Sequence, residues 1–439
     1  MEKNLTDAVK ATPGGFGLRG EVTVPGDKSI SHRAVILGSI ADGVTEVDGF
    51  LEGADNLATV DAFRAMGVEV ERTGPLGIRV KGVGIRGLME PEDVLDARNS
   101  GTTARLLTGL LSAQNFFSVI TGDNSLRTRP MGRVVEPLLD MGASICGRKG
   151  ATMLPLAISP GTLVGIRYST PVPSAQLKSA LLLAGLYARG ETVVTEGEKS
   201  RDHTERMLGL FGAEVKVHDR TVSVKPAQSL KACRIKVPGD LSSAAFFIVG
   251  ALITPGSEIL IRDVGVNPTR TGIIEILRKM GGKVEIREQR DVCGEPVAEI
   301  LVKSSELTGV SVGAKELLPA IDEFPALCVA AAFAKGSTTV AGARELRVKD
   351  SDRISAMSVA LNAIGVRSTQ REDGITIDGV GEGEILKGSG IRSLGDHRIA
   401  MAMAIAALRT DSGVDIHGSD CVEVSFPGFF SSLEGIKAR

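Results

Sequence analysis

Residues 62–70 read Ala-Phe-Arg-Ala-Met-Gly-Val-Glu-Val, a helix-like run that ends at Met66-Gly67 and passes into a strand-like alternation. The same ending, a large apolar residue followed by glycine, recurs four more times. The five copies are Met66-Gly67, Met141-Gly142, Phe211-Gly212, Met280-Gly281 and Ile364-Gly365. Neighbouring glycines are 69 to 84 residues apart, a spacing too regular for unrelated helix ends closed by a left-handed glycine. The chain therefore repeats one folding unit.

Each unit also has a first helix upstream of this ending, and unusual polar residues gather where those first helices begin. The predicted starts are Asp27-Lys28-Ser29, Asn99-Ser100-Gly101, Pro173-Ser174, Gly239-Asp240, Asp322-Glu323 and Asp396-His397-Arg398. The sixth start has no matching Met-Gly, and its second helix is expected from Ser425 to Ile436. Six units are therefore predicted.

Helical periodicity alternates with strand periodicity within each unit, which indicates an α/β protein. A chain of 439 residues exceeds one ordinary core, so six units divide naturally into two domains of three. The tetrapeptide Val-Pro-Gly-Asp occurs at 24–27 and again at 237–240. We interpret these turns as the two chain crossings, with residues 1–24 and 241–439 forming a discontinuous domain and 25–240 an inserted one.

The composition argues against nucleic-acid and membrane partners. Lys and Arg number 51 against 53 for Asp and Glu, and only 3% of residues are aromatic, so the chain offers neither a cationic field nor stacking surfaces. Five scattered cysteines suggest thiols in a reducing compartment. With no signal-like N-terminus and no long apolar run, a cytoplasmic protein is expected.

The segment Asp27 to Arg33 is the first candidate anion site. Ser29 and Arg33 share a helix face beside unpaired backbone donors, where a phosphate or carboxylate is favoured. A capped surface helix is the simpler alternative, but Lys28 in a first turn opposes the helix dipole. A bound anion would resolve that conflict.

Other helix starts carry similar groups, each of which alone is explained by capping or surface solvation. Asp322 and Asp396 are expected as capping carboxylates, whereas a cation such as Arg398 at the mouth of a buried helix is harder to explain. The further candidates are Gly101, Arg129, Ser174, Gln176, Ser200, Arg201, Lys349, Asp350 and Arg353. The five histidines lack metal-ligand spacing and no phosphate-binding GxxxxGK[ST] loop occurs, so neither a metal nor a cofactor is expected.

Seven motifs, taken together and in order, resemble the enolpyruvyl transferases, specifically the second bacterial class of the branch that uses shikimate 3-phosphate. They are Pro-Gly-Asp-Lys-Ser-Ile-Ser-His-Arg, Asn-Ser-Gly-Thr-Thr-Ala-Arg, Arg-Pro-Met, Ser-Ala-Gln-Leu-Lys-Ser-Ala, Arg-Asp-His-Thr-Glu, Val-Lys-Asp-Ser-Asp-Arg and Gly-Asp-His-Arg. The resemblance implies two inside-out α/β barrel-like domains, each of three βαβαββ repeats. It also implies transfer of the enolpyruvyl group of phosphoenolpyruvate to the 5-hydroxyl of shikimate 3-phosphate, by a monomer whose domains close on its substrates.

The resemblance also assigns roles to the candidates. Those expected to hold shikimate 3-phosphate are Lys28, Ser29, Arg33, Ser174, Gln176, Ser200, Arg201, Asp322 and Lys349. Those expected to hold phosphoenolpyruvate are Lys28, Gly101, Arg129, Gln176, Arg353 and Arg398. Asp322 is the expected base for the hydroxyl, and Lys28 and Asp350 are candidates for proton delivery. Asp350 departs from the family, which usually has Glu there, and Val424 stands where some relatives have Lys.

Two rival functions remain at this point. The UDP-N-acetylglucosamine enolpyruvyl transferases share the fold and chemistry, but their characteristic cysteine should lie near Asp123 to Pro130, and no Cys is there. A noncatalytic anion clamp would not need carboxylates among its cations.

Overall fold

The computed structural model describes residues 8–438 and contains two compact units. The inserted unit comprises Gly26–Val237 and Val292–Glu295. The discontinuous unit comprises the residues up to Pro25, Pro238–Asp291, and the residues from Pro296 onward. Four residues at the tip of a hairpin, Val292–Glu295, are thus grouped with a unit different from that of the strands on either side.

Both units contain strands, and most of these strands are short. They are β1 (Ala8–Ala11), β2 (Arg19–Thr23), β3 (Asp42–Asp48), β4 (Glu69–Gly74), β5 (Gly77–Val83), β6 (Leu95–Asp96), β7 (Ser118–Thr121), β8 (Ser144–Gly147), β9 (Met153–Ser159), β10 (Arg167–Ser169), β11 (Thr192–Thr195), β12 (Val215–His218), β13 (Thr221–Val224), β14 (Arg234–Lys236), β15 (Glu258–Gly265), β16 (Lys283–Val292), β17 (Glu295–Lys303), β18 (Ser311–Val312), β19 (Lys335–Val340), β20 (Ser368–Arg371), β21 (Gly374–Val380), β22 (Ser389–Arg392) and β23 (Val414–His417).

The helices alternate with these strands. They are α1 (Lys28–Ser39), α2 (Ala54–Ala65), α3 (Gly101–Leu111), α4 (Gly132–Asp140), α5 (Arg148–Ala151), α6 (Ala175–Gly185), α7 (His203–Leu210), α8 (Leu241–Ile253), α9 (Gly272–Lys279), α10 (Ala314–Leu317), α11 (Phe324–Ala332), α12 (Arg353–Ala363), α13 (His397–Ala407) and α14 (Phe429–Gly435). Within residues 8–438, no helix is both long and apolar enough to cross a bilayer.

Six small sheets repeat one topology, in which a parallel first pair of strands is followed by an antiparallel pair. The five four-stranded sheets have the orders β14-β3-β5-β4, β6-β7-β9-β8, β10-β11-β13-β12, β16-β17-β15-β2 and β18-β19-β21-β20. The sixth has the order β1-β23-β22. The six predicted units therefore correspond to six sheets.

Two of the sheets borrow a strand from a distant part of the chain. β2 pairs in parallel with β15, so that Val22 lies opposite Ile261. β14 pairs in parallel with β3, so that Ile235 lies opposite Val47. Both Val-Pro-Gly-Asp turns separate β2 from the rest of its sheet, whereas β14 and its sheet lie entirely between the two turns.

All five predicted glycine helix ends are confirmed. Gly67, Gly142, Gly212, Gly281 and Gly365 have φ between 84° and 97°, the left-handed region that glycine enters at least cost. In each case the preceding large apolar residue is the C-cap and is buried. These ends terminate the second helix of each unit.

The first helices form the cores, with their outer faces covered by the sheets. Every residue of α8, α11 and α13 is buried, as expected of helices that are apolar all round. The corresponding core of the inserted unit is built on α1, α3 and α6. The last predicted helix is shorter than expected: a 3₁₀ turn covers Ser419–Val424, and α14 begins at Phe429 after left-handed Gly428.

Candidate active site

Side-chain caps begin five of the six first helices. Asp27, Ser100, Ser174, Asp240 and Asp396 each accept a hydrogen bond from a backbone N–H in the first turn, which satisfies one of the unpaired donors there. The expected cap at Asp322 is wrong. Asp322 lies in a 3₁₀ helix, Leu318–Glu323, that runs directly into α11, so the preceding turn satisfies those donors instead.

In the inserted unit, Arg33 is a buried cation surrounded by neutral oxygens. Its Nε donates to Thr204 Oγ1 at 2.6 Å and its Nη2 to Ser179 Oγ at 2.7 Å, while Nη1 donates to the Ser29 carbonyl at 2.9 Å. Burial lowers the pKa of Arg33 to about 10, and nearby Arg201 adds to this effect. Among residues 8–438, no carboxylate lies at ion-pair distance from this guanidinium.

Lys28 and His32 occupy the same helix with different partners. Lys28 Nζ lies 3.0 Å from the Asp55 carboxylate, a partner that the sequence analysis did not identify. His32 Nδ1 is 2.7 Å from Thr59 Oγ1, which is in turn 2.7 Å from Thr103 Oγ1. Burial lowers the pKa of His32 to about 3, so its imidazole is neutral at ordinary pH.

Gly101, Arg129 and Gln176 are brought together around Arg105. A Cβ at Gly101 would lie 2.7 Å from Arg105 Nη1 and 3.7 Å from Arg129 Nη1. Arg105 Nη1 donates to Gln176 Oε1 at 3.0 Å, and the Gln176 amide donates to Thr102 Oγ1 at 3.0 Å. Arg129 Nη2 donates to Asn99 Oδ1 at 2.5 Å. Two guanidinium groups therefore flank a helix start where the lack of a side chain on Gly101 permits their close approach.

Ser200 and Arg201 lie in the irregular segment before α7. The Ser200 hydroxyl donates to Glu196 at 2.5 Å, and Arg201 is partly exposed. The following residues anchor this segment to the hairpin tip Val292–Glu295. His203 Nδ1 is 2.7 Å from Glu295 Oε1, and Arg206 Nη1 donates to the Gly294 carbonyl at 2.8 Å.

In the discontinuous unit, Arg353 is buried among carboxylates. Its Nε donates to Asp396 Oδ2 at 2.9 Å, its Nη2 to Asp350 Oδ2 at 3.3 Å, and its Nη1 to Asp322 Oδ1 at 3.5 Å. Burial alone would lower the pKa of Arg353, but the three carboxylates outweigh burial and raise it. Burial likewise opposes ionisation of Asp396, yet Arg353 holds the Asp396 pKa below its usual value.

Asp322, Lys349 and Arg398 adjoin this cluster. Asp322 Oδ1 lies 4.0 Å from Lys349 Nζ, so its carboxylate is close to two cations, Lys349 and Arg353. Arg398 is buried, and its Nη1 donates to the Asp322 carbonyl at 2.9 Å. In the described part of the chain, no carboxylate lies at ion-pair distance from Arg398.

Asp350, Asp396 and His397 form a group whose ligand atoms lie within 4.8 Å of one another. Oxygen and imidazole ligands at that separation could hold a divalent cation. The Arg353 guanidinium already contacts both carboxylates, however, and supplies positive charge where such an ion would sit. We therefore interpret the group as the environment of Arg353.

The two units thus contain two cationic helix-start clusters. Ser29, Arg33, Gly101, Arg129, Ser174, Gln176, Ser200 and Arg201 lie with Lys28 in the inserted unit, and Asp322, Lys349, Asp350, Arg353 and Arg398 lie in the discontinuous one. Sequence reasoning missed the partners Asp55 and Glu196, and it predicted Asp396 as a helix cap but not as the partner of Arg353. Asp55 follows Gly53 at the start of a second helix, a position that the repeat would have pointed to.

Comparison with known proteins identifies the family behind this arrangement. Six repeated units of sheet and helix with buried guanidinium groups at helix starts are typical of an anion-binding α/β protein, and a family model matches residues 14–433. The chain belongs to that family, the EPSP synthases (3-phosphoshikimate 1-carboxyvinyltransferases). The enolpyruvyl transferase fold predicted from the sequence is confirmed.

Individual relatives match over nearly the whole chain. The chain is 58% identical over 428 residues to the 3-phosphoshikimate 1-carboxyvinyltransferase of Pelobacter propionicus, covering 98% of each protein. It is 57% identical over 423 residues to that of Geobacter metallireducens, covering 96% of this chain and 98% of the relative. The solved EPSP synthase of Acinetobacter baumannii superposes with a TM-score of 0.88 at 48% identity, covering 98% of each chain.

Proposed function

We propose that this chain transfers the enolpyruvyl group of phosphoenolpyruvate to the 5-hydroxyl of shikimate 3-phosphate with release of phosphate. The observation that carries the proposal is the pair of buried guanidinium groups, Arg33 and Arg398, without a carboxylate at ion-pair distance in the described chain. A buried charge is costly unless it is paired. Anionic substrates supply the missing partners, and the family supplies their identity.

Shikimate 3-phosphate is assigned chiefly to the inserted unit. Arg33 and Arg201 offer guanidinium groups that can donate to phosphate or carboxylate oxygens in pairs. The full acceptor set is Lys28, Ser29, Arg33, Ser174, Gln176, Ser200, Arg201, Asp322 and Lys349. Ser174 caps its own helix through its hydroxyl, so a ligand there would share that oxygen with the backbone.

Phosphoenolpyruvate is assigned to residues that surround open or cationic helix starts. Gly101 allows the guanidinium groups of Arg105 and Arg129 to approach the helix start closely, and among residues 8–438 no carboxylate lies at ion-pair distance from Arg398. The full set is Lys28, Gly101, Arg129, Gln176, Arg353 and Arg398. Charge-assisted hydrogen bonds contribute roughly 1.5–3 kcal/mol each, so several of them suffice to bind a small trianion to a nearly neutral protein.

The reaction needs one base and a group that carries a proton to carbon and back. Asp322 takes the proton of the 5-hydroxyl as that oxygen bonds to C2 of phosphoenolpyruvate, while C3 gains a proton to become a methyl group. Loss of a C3 proton then expels phosphate and restores the double bond. Lys28 and Asp350 are the proposed proton carriers, and Asp350 lies 3.8 Å from His397 Nδ1.

The test is a coupled assay for phosphate release from phosphoenolpyruvate. Release should require shikimate 3-phosphate and should not occur with UDP-N-acetylglucosamine, the acceptor of the related family. Release that depends on UDP-N-acetylglucosamine instead would overturn the assignment. Omission of both acceptors is the control for simple hydrolysis.

The proposal extends to the working state of the protein. We expect a cytoplasmic monomer, in keeping with five cysteines that are all free thiols. Light scattering on the purified chain should give a mass near 45.9 kDa. A mass twice as large would refute the monomer.

A further inference from the structure

A buried charged layer lies beneath the segment that carries Ser200 and Arg201. It consists of Lys178 on α6, Glu196 just after β11, and Glu205 on α7, and each is at least nine-tenths buried. These three residues belong to none of the substrate contacts proposed above. Because buried charges are costly, a layer of three needs a reason.

Glu196 holds Ser200 at two points. One carboxylate oxygen accepts from the Ser200 hydroxyl at 2.5 Å, and the other accepts from the Ser200 backbone N–H at 3.2 Å. The first contact fixes the side-chain rotamer of Ser200, and the second fixes the peptide between Lys199 and Ser200. Few conformations of the segment satisfy both contacts.

Lys178 in turn holds Glu196. Its Nζ lies 2.7 Å from Glu196 Oε2 and 2.7 Å from Glu205 Oε1, and it donates to the Ser200 carbonyl at 3.5 Å. Burial opposes the charge on Lys178, but the two carboxylates outweigh burial and raise its pKa. The ammonium therefore stays charged beneath the segment.

The net charge of this layer matters because the layer lies beneath Ser200 and Arg201, where the anionic acceptor is proposed to bind. Glu196 without Lys178 would place a bare carboxylate under that site and repel the ligand. Lys178 contacts both acids, and burial raises the pKa of Glu205, which reduces the negative charge beneath the site.

We infer that Glu196 and Lys178 are positioning residues for acceptor binding, which hold Ser200 and Arg201 in the conformation that receives shikimate 3-phosphate. This inference rests on the proposed function. A purely structural layer would affect stability and both substrates alike. A positioning layer affects the acceptor selectively and acts through Ser200.

A double-mutant cycle tests the inference. Glu196→Gln, Ser200→Ala and the double variant are compared with the wild type for calorimetric affinity for shikimate 3-phosphate and for steady-state kinetics. Each single variant should weaken acceptor binding by about tenfold, the loss of one good hydrogen bond to a charged ligand. Because Ser200→Ala keeps the backbone contact to Glu196, the double variant should bind more weakly than Ser200→Ala, but by much less than the product of the two single losses. The KM for phosphoenolpyruvate should change by less than about twofold.

Two results would overturn the inference. One is a loss of acceptor affinity in the double variant equal to the product of the two single losses, and the other is an equal rise in the KM values for shikimate 3-phosphate and phosphoenolpyruvate. Glu214→Gln is the matched control, because Glu214 pairs with Lys225 on the exposed surface of the same unit, and it should leave acceptor affinity unchanged. If Glu196→Gln does not fold, Glu196→Asp keeps the charge but shortens the reach, and it should show the same selective loss. A wild type that releases no phosphate with shikimate 3-phosphate would instead refute the proposed function.

Discussion

Arg33 and Arg353 are both buried near the start of a helix, yet their surroundings differ in charge. Arg33 donates only to hydroxyl and carbonyl oxygens, whereas Arg353 donates to three carboxylates. The pKa of Arg33 is lowered by burial and that of Arg353 is raised by its partners. Three carboxylates offset the charge of Arg353, whereas among residues 8–438 no carboxylate lies at ion-pair distance from Arg33.

This difference separates two uses of a buried guanidinium. Arg353 orders three acids, one of which is the proposed base, so it organises the chemistry. Arg33 has spare charge, so it provides affinity. Substitutions should therefore produce different defects in the two regions.

The largest effect is expected on the carboxylate side. Asp322→Asn removes the proposed base while keeping its shape, and kcat should fall by about 10²–10⁴-fold. Steady-state phosphate release measures this fall. Asp378→Asn, a change in an exposed partner of Arg367, should leave kcat unchanged, and a near-normal kcat for Asp322→Asn would remove that residue from the mechanism.

Matched substitutions of the two arginines test the comparison directly. Arg353→Gln leaves three acids without their shared cation and should lower the free energy of unfolding by about 3–5 kcal/mol. Arg33→Gln removes a charge that has no carboxylate at ion-pair distance among residues 8–438, so stability should fall less, while shikimate 3-phosphate affinity should fall by about 10–100-fold. Chemical unfolding and calorimetry distinguish the two. Equal losses of stability would contradict the distinction between them.

The free energy of unfolding should depend on pH through His32, which lies in the inserted unit. His32 has a folded-state pKa of about 3 against about 6.5 in an unfolded chain, so the unfolded state alone gains its proton as the pH falls below 6.5. The resulting loss of stability should reach about 2 kcal/mol between pH 7 and 5. His32→Gln should remove this part of the pH dependence of urea unfolding. The exposed His218 offers a control, His218→Gln, which should retain it.

The smallest effect is expected at Gly101. A methyl group there would approach the Arg105 guanidinium to 2.7 Å, and this flexible group can retreat only by disturbing Gln176. Gly101→Ala should raise the KM for phosphoenolpyruvate by about tenfold with little change in the KM for shikimate 3-phosphate. A parallel rise in both values would show that the glycine does not belong to the phosphoenolpyruvate site.

Local rules made much of the fold predictable. Large apolar residues followed by glycine marked all five second-helix ends, because few residues other than glycine enter the left-handed region easily. Serine and aspartate marked five of the first-helix starts for a similarly local reason. The cap predicted at Asp322 was wrong because a 3₁₀ helix runs directly into α11 there.

The partners of the site residues were not predictable in the same way. Lys28 pairs with Asp55 on another helix, and Arg353 gathers acids from three separate segments. Charge patterns along the chain give no register for such contacts, since packing of distant segments decides them. The contacts among Lys178, Glu196 and Glu205 could not be predicted from the sequence for the same reason.

The pairings of β2 and β14 determine the order in which these strands can find their partners during synthesis. During synthesis β2 leaves the ribosome early, but its parallel neighbour β15 is made only after the whole segment up to Val237. β14, the last strand of the inserted unit, arrives just before and completes the sheet begun by β3. All four strands of the β14-β3-β5-β4 sheet are therefore available before β15 is made, whereas β2 has no parallel partner until then.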